Sequence, residues 1–424
     1  MESRVAIEFE RAKTMEVRGA WAEAVAKYKG LALSFTSADD PEDGRFVEQA
    51  VSNLCGLLVQ RNEAAAVAAL QEELRPVFLV LPRAKTAKVV KTIIDMLAKI
   101  PGSEALQVQA CKDCIDWCVE GKRTFLRQRV EAKLAALYLS QSKYQPALEL
   151  LSVLLKEVRK LDDKVLLVEA LVIETRIHLA LKNVPKAKAS LTAAKANANA
   201  IHCPPSLQAD IDILSGVLNA REGDFKTSYS YFYEAFEALN QLGDTPRALD
   251  AIKYMVLTKI MADSPAEANV IGSSKSGLKY AGPELHALLE VAKTQQQRSL
   301  LLFEETVNKY SEYLLKDQVI AHHLRDLNET LLEQNLVKIV EPYSRVEIAH
   351  IASVIRLPIE RVLKKLSDMI LDGKLFGTLD QGIGILVVFE KQQVGSFYSD
   401  ILSCIENTSV ALDSLHEKSL KLIA

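Results

Sequence analysis

Glycine and proline are scarce in this chain. There are 17 and 13 of them among 424 residues, 30 together where an average chain would carry about 50. With so few breakers, long helices are the default. Cysteine is scarce too. Six residues are too few for a disulfide scaffold and suit a reducing compartment, cytoplasm or nucleus. No apolar run approaches the ~20 residues of a membrane span; the run at 77–81 stops at Pro82. The start, Met1-Glu2-Ser3-Arg4-Val5, lacks an apolar h-region, so no export signal is expected. Neither sign of charge dominates. Fifty-two Lys and Arg face 55 Asp and Glu, a net of −3, which gives no general argument for nucleic acid or an anionic membrane. Strand-like alternation is almost absent before residue 370. What is present is a 49% apolar, 25% charged chain, which excludes disorder and has room for roughly two to four domains or one array of repeats.

Helical periodicity runs through it. Val130, Leu134, Leu137 and Tyr138 share one face, as do Leu148, Leu151 and Leu155. Residues 165–181 are apolar nearly all round, as expected of a helix packed on several sides. A turn also recurs. Gly19-Ala20-Trp21 is followed by Ala24, Ser142-Lys143-Tyr144 by Ala147, Asn183-Val184 by Ala187, and Gly223-Asp224-Phe225 by Ser228. The register positions 144, 184 and 225 lie 40 or 41 apart, and 21 lies three such steps before 144. Interpolation predicts further turns near 62, 103 and 263–265. Small residues one turn into each helix would let helices approach closely, while the residue at the register position plugs the groove to the next hairpin. This spacing predicts stacked helical hairpins of the tetratricopeptide type, stretched to about 40 residues.

The character changes at 344–389. Ser344-Arg345-Val346-Glu347 reads as a capping box, and Ile348, Ile351, Ala352 and Ile355 form an apolar stripe. Leu357-Pro358 turns the chain into a second helix with Val362, Leu363, Leu366, Met369 and Ile370 on one face, ending at Asp372-Gly373. Short strands at 375–379 and 385–389 flank the turn Gln381-Gly382-Ile383-Gly384. Together these predict a winged helix. Residues 341–391 carry seven basic and seven acidic side chains, so no cationic face is offered to phosphate and protein contact is favoured over DNA. Beyond it, Val394, Tyr398, Ile401, Ile405, Thr408, Leu412, Leu415, Ser419 and Leu422 step by four and three, a heptad seam with two polar interruptions. A terminal helix with such a stripe needs cover, either from its own domain or from helices of other chains.

No constellation in the sequence carries chemistry. Cys111, Cys114 and Cys118 fall on one helical face without the second ligand pair that structural zinc needs, and are expected in the core. Gly272-Ser273-Ser274-Lys275-Ser276-Gly277 has the glycine spacing of a phosphate loop, but Leu278-Lys279 replaces the required Lys and Ser or Thr, so a flexible loop is expected. Gly382-Ile383-Gly384 is a hairpin turn, His322 and His323 are expected on different sides of a helix, and His350 is expected to be structural. No Gly-x-Ser-x-Gly elbow occurs. Asp39-Asp40 and Asp162-Asp163 read as solvated loops, and Thr14, after Arg11 and Lys13, lies in a loosely basophilic kinase context. No catalytic, cofactor or metal residues are expected; the partner-binding candidates are Tyr398, Ile401, Ile405, Leu412, Leu415 and Leu422.

Several segments carry a resemblance: Lys122-Arg123-Thr124-Phe125-Leu126-Arg127-Gln128, Ala198-Asn199-Ala200-Ile201-His202-Cys203-Pro204-Pro205 and Tyr229-Ser230-Tyr231-Phe232-Tyr233-Glu234-Ala235-Phe236-Glu237. To these are added Leu331-Leu332-Glu333-Gln334-Asn335-Leu336, Glu341-Pro342-Tyr343-Ser344-Arg345-Val346 and Met369-Ile370-Leu371-Asp372. With them, the chain resembles the PCI-domain proteins, which build the proteasome lid, the related signalosome and a translation initiation complex; the resemblance is to the lid branch. It implies a mostly α fold: a TPR-like helical-hairpin solenoid, a winged-helix (PCI) module and a C-terminal helix. The implied layout is TPR-like repeats at 1–221, a PCI domain at 222–391 (repeats 222–340, winged helix 341–391) and a bundle helix at 392–424. The implied role is a non-catalytic scaffold in ubiquitin-dependent degradation. Its implied partners are other lid PCI subunits, the proteasomal ATPase ring and the core-particle alpha ring, in cytoplasm and nucleus. A signalosome or initiation-complex subunit, a winged-helix nucleic-acid binder, and a hydrolase with residues gathered by folding are the competing expectations.

Overall fold

The structure, a computed structural model, describes residues 4–17, 20–33, 43–380, 382–389 and 397–423. The chain divides into two compact units, 1–258 and 259–424. In the first, helices follow one another without a strand among the described residues: α1 (Arg4–Val17), α2 (Trp21–Leu33), α3 (Asp43–Gln60), α4 (Ala64–Glu73), α5 (Arg75–Val80), α6 (Arg83–Leu97), α7 (Glu104–Glu120) and α8 (Thr124–Ser140). They continue as α9 (Tyr144–Leu161), α10 (Lys164–Ala180), α11 (Val184–Asn199), α12 (Pro205–Arg221), α13 (Phe225–Leu242) and α14 (Thr245–Met261), the division falling within the last. Each helix from α6 to α12 packs on its successor, and α8–α10 and α10–α12 also touch. That is how stacked hairpins are held together.

The forty-residue period has a backbone cause. Asn62, Gly102, Ser142, Lys182, Gly223 and Asp263 all adopt positive φ, between 54° and 85°, at steps of 40 or 41, and Lys122, Asp162 and Gly243 do so at alternate turns between them. In this conformation the next amide reaches back to the last turn: Lys143 N–H donates to Tyr138 O at 2.9 Å, Asn183 to His178 O at 2.8 Å and Asp224 to Asn219 O at 3.0 Å. Orphan carbonyls are thereby satisfied at each helix end. The side chains of Asn183 and Asp224 then cap the following helix, accepting from the amides of Lys186 and Thr227. The turns interpolated from sequence are therefore real at 62, 102 and 263; Gly19 of the first turn lies outside the described residues.

Five residues after each of the six positions spaced by 40 or 41 the side chain is buried, the one after Gly102 being the large Gln107. Ala147, Ala187, Ser228, Val67 and Ala268 have no exposed surface, and Ala24 is equally buried. The α12–α13 crossing shows why the residue must be small there. Ser228 Oγ donates to Gly216 O at 2.7 Å, and the buried Phe232 ring lies so close that a Cβ on Gly216 would meet it at 2.6 Å. The residues expected to plug the grooves do so incompletely: Tyr144, Val184 and Phe225 are half-buried, and Trp21 stays exposed. Ten side chains of α10 are buried, as its all-round apolar sequence requires.

The second unit continues with short helices α15 (Pro265–Ser273), α16 (Lys275–Lys279), α17 (Pro283–Gln296), α18 (Leu300–Lys309), α19 (Ser311–Leu314) and the long α20 (Gln318–Val340). The expected loop at 272–277 is instead helical, broken only at Ser274, whose hydroxyl caps α16 by accepting from the Gly277 amide at 3.1 Å. His322 and His323 do not diverge either: their rings stack at 5.4 Å, and one Nδ1 of each lies within 3.7 Å of Asp326. No helix among the described residues is long and apolar enough to cross a membrane.

Candidate functional site

After α20 come β1 (Arg345–Glu347), α21 (Ile348–Ile355), α22 (Ile359–Leu371), β2 (Gly377–Asp380), β3 (Ile385–Val388) and α23 (Phe397–Ile423). The three strands form one antiparallel sheet in the order β1-β3-β2. Val346 faces Leu386, and Leu379 faces Leu386 from the other side; Leu386 and Val346 are buried beneath α21 and α22. The winged helix is therefore present, with one correction. Ser344-Arg345-Val346-Glu347 is not a capping box: Arg345, Val346 and Glu347 pair with β3, and Glu347 precedes α21 without a side-chain cap. The ladder engages this backbone instead: Ile348 N–H donates to Gly384 O and Val388 N–H to Ser344 O, both at 2.9 Å. Ile348, Ile351, Ala352 and Ile355 are buried on α21, and Val362, Leu366 and Met369 on α22, as their spacing predicts. The wing turn is held by Asp380 Oδ1, which accepts from the amides of Gly382 and Ile383, and Gly384 turns at φ 73°.

An ion cluster fixes the module to α20. Glu333 receives Lys374 Nζ at 2.7 Å and Lys365 Nζ at 3.0 Å, and Glu329 adds a 3.4 Å contact to Lys365. Burial alone would raise the Glu333 carboxyl, but Lys374 and Lys365 outweigh it and hold it below the usual range. Burial would likewise lower Lys365, but Glu333 and Glu329 outweigh it and raise it. A depressed carboxylate contributes stability above its unfolded pKa and loses it as pH falls; a raised ammonium contributes below its unfolded pKa and loses it as pH rises. Both contributions are in force at neutral pH. Glu333→Gln is expected to cost about 1–2 kcal/mol at pH 7, a difference that shrinks towards zero below about pH 4; urea unfolding at both pH values measures it. Two of the basic side chains that a DNA-reading surface would offer are thus already engaged by carboxylates.

Helix α23 is where the seam lies. Tyr398 is 72% exposed, Ile401 40%, Ile405 60%, Leu412 61% and Leu415 62%. Every described side chain from 398 to 416 is exposed. Both polar interruptions satisfy themselves: Thr408 Oγ1 donates to Cys404 O at 2.7 Å and Ser419 Oγ to His416 O at 2.8 Å, which lowers the cost of burying them. Val394 and the side chain of Leu422 lie outside the described residues.

The cysteine candidates for chemistry sit in the core. Cys111, Cys114 and Cys118 are buried, and burial pushes the Cys111 thiol up to about 12. Cys114 is raised by its hydrogen bond with Cys118 and by burial, which keeps both Cys111 and Cys114 in the unreactive protonated form. No group of three metal-ligating side chains occurs among the described residues. Asp163 caps α10 by accepting from Leu166 N–H, and Thr14 is exposed with its hydroxyl on Arg11 O. Asp39 and Asp40 lie outside the described residues. Sequence reasoning missed Glu333, since its two lysines lie 32 and 41 residues away and no local spacing links them.

Comparison with known proteins bears on both units. Residues 5–141 match the family described as 26S proteasome regulatory subunit RPN6 N-terminal domain, and residues 307–390 match the PCI domain. The first match covers the region ahead of most segments that carried the resemblance. The chain is 51% identical to the 26S proteasome non-ATPase regulatory subunit 11 homolog of Arabidopsis thaliana, over 91% of this chain and 92% of that one. It is 44% identical to the probable 26S proteasome regulatory subunit rpn6 of Schizosaccharomyces pombe, over 93% and 94%. To the 26S proteasome regulatory subunit RPN6 of Saccharomyces cerevisiae it is 37% identical over 80% and 79%. Identity at this level, sustained from the N-terminal hairpins through the winged helix, makes the chain a member of the 26S proteasome non-ATPase regulatory subunit 11 (Rpn6) family.

Proposed function

We propose that this proteasome regulatory subunit is a non-catalytic scaffold of the lid. Its winged helix and α23 join other PCI subunits, and its N-terminal hairpins bridge the regulatory particle to the ATPase ring and the core-particle alpha ring. It acts in ubiquitin-dependent degradation, in cytoplasm and nucleus. The observation that carries this reading is the exposed seam of α23, with Tyr398, Ile401, Ile405, Leu412 and Leu415 all presented to solvent along one heptad line. Leu422 extends the same line in sequence. A stripe of this kind gains most by entering a helical bundle. The proposed division of labour is repeats at 1–221, a PCI domain at 222–391 with its winged helix from 341, and a bundle helix at 392–424. The names of the relatives favour the proteasome over the signalosome or an initiation complex. The carboxylates on Lys365 and Lys374 count against a nucleic-acid reader.

Affinity capture of the tagged chain from its own cells, with quantitative mass spectrometry, tests the assignment. Lid and ATPase-ring subunits should be recovered in near-equal amounts with the bait. Recovery of signalosome or initiation-complex subunits in their place would overturn it.

A further inference from the structure

A groove of about 710 Å³ crosses the first unit, lined by α6, α8, α10, α12 and α14. It lies within the range of ligand-sized cavities. Although the whole chain is net negative, six cations line this groove: Lys88, Lys91, Arg129, Lys133, Arg176 and Arg247. Three carboxylates, Asp95, Glu169 and Asp210, share it with them.

The distribution of these charges matters more than their number. Lys133 is held by Asp95 at 2.9 Å, and Lys88 by Glu48 from outside the lining. Asp210 is shared by Arg176 at 2.8 Å and Arg247 at 3.1 Å, and Arg247 also takes Asp244 at 2.7 Å. Lys91 and Arg129 make no ion pair among the described residues, and both are exposed. The uncompensated positive charge is therefore concentrated where α6 faces the groove beside α8. Apolar side chains share the lining and form its floor, Leu126 and Val130 from α8 and Val172 from α10, all buried, and Glu169 lies on α10.

We propose that this groove binds an extended acidic peptide segment of a partner protein, its carboxylates over Lys91 and Arg129 and apolar side chains over the floor. Packed helices lie about 8–10 Å apart and an extended chain advances about 3.3–3.6 Å per residue, so the peptide presents roughly one residue in three to each helix it crosses. A nucleic-acid strand fits less well. Its uniform phosphate charge would be repelled by Glu169, and it would leave the apolar floor unused. The inference stands on the lining residues of one unit and does not depend on the role proposed for α23.

The test uses the whole chain and a fluorescein-labelled peptide of about ten residues, with three glutamates followed by leucine–serine repeats. The same peptide with glutamines and a thymidine oligonucleotide of similar length serve as comparisons. Saturable binding of the glutamate peptide is expected, weakened about tenfold by Lys91→Glu with Arg129→Glu. Charge reversal of Lys156 and Lys160, exposed on α9 outside the groove, should change it less than about twofold. Arg129→Gln alone should give an intermediate loss, and circular dichroism and thermal melts establish that each variant is folded. Equal losses in the two charge-reversed pairs, equal binding of the glutamine peptide, tighter binding of the oligonucleotide, or no saturable binding would each overturn the proposal.

Discussion

Replacing Ile401, Ile405, Leu412 and Leu415 together with serine should leave the chain folded and abolish its incorporation into the lid. All four side chains are exposed in the chain by itself, so removing them opens no cavity and strips nothing from the core. Serine lowers helix propensity, but only by a few tenths of a kcal/mol per position. In a bundle the same side chains would each contribute about 1.5–3 kcal/mol on burial. Losing four therefore removes several powers of ten in affinity, at about 1.4 kcal/mol per tenfold change. Val410, exposed at 68% but on the outer line of the heptad, provides the control: Val410→Ser should assemble normally. Reconstitution with the remaining lid subunits, followed by native gel electrophoresis, reads both variants. Normal assembly of the fourfold variant would mean that the seam is not the docking surface.

Gly216→Ala should destabilise the first unit by about 1–3 kcal/mol, whereas Gly30→Ala should stabilise it by about 0.5–1 kcal/mol. The chemical change is the same and only the surroundings differ. At Gly216 the new methyl would lie 2.6–2.8 Å from the Phe232 ring, and that ring is itself fully buried and packed on Tyr254 at 5.2 Å between centroids. It cannot swing away without opening the α12–α13 crossing and straining the Ser228–Gly216 hydrogen bond. Gly30 sits in α2 with no heavy atom within 4 Å of the added carbon, so only the loss of unfolded-state freedom is felt. Phe232→Leu should relieve part of the Gly216→Ala cost, because a smaller side chain leaves room for the methyl. Urea unfolding of the unsubstituted chain, the three single variants and the Gly216–Phe232 double variant, with amide exchange of α12 and α13 as the local readout, measures the effects. Additivity of the Gly216 and Phe232 changes would show that the contact is not the cause.

The repeat was legible in sequence because its cause is local. A left-handed residue and a buried residue five positions on are close neighbours in the chain, joined at Asn183 and Asp224 by a capping side chain. Even turns without a clear signature, at Asn62, Gly102 and Asp263, could be placed by arithmetic alone. The helix α23 was legible for the same reason, since heptad spacing belongs to one helix. Features that join distant segments were not. Strand β1 has three residues and one buried side chain, too short for alternation to register, and its partner β3 lies 38 or more residues later. Its Ser-x-x-Glu spacing pointed to a local alternative that the ladder displaced. The segment 272–277 looked loop-like by composition, yet Gly277 is wanted for its lack of a side chain: a Cβ there would lie 2.4 Å from Ile271 O. The Glu333 cluster and the approach at Gly216 depend on which helices become neighbours, which periodicity within one helix does not encode.

That α23 serves as a surface for other chains is tested most directly by hydrogen–deuterium exchange across 397–423, in the isolated chain and in the assembled lid. The exposure of every described side chain from 398 to 416 predicts fast exchange along the helix when the chain is alone, because a helix without tertiary packing opens readily. Strong protection should follow on assembly, greatest around Ile405 and Leu412. Slow exchange already present in the isolated chain, or no added protection in the lid, would contradict it.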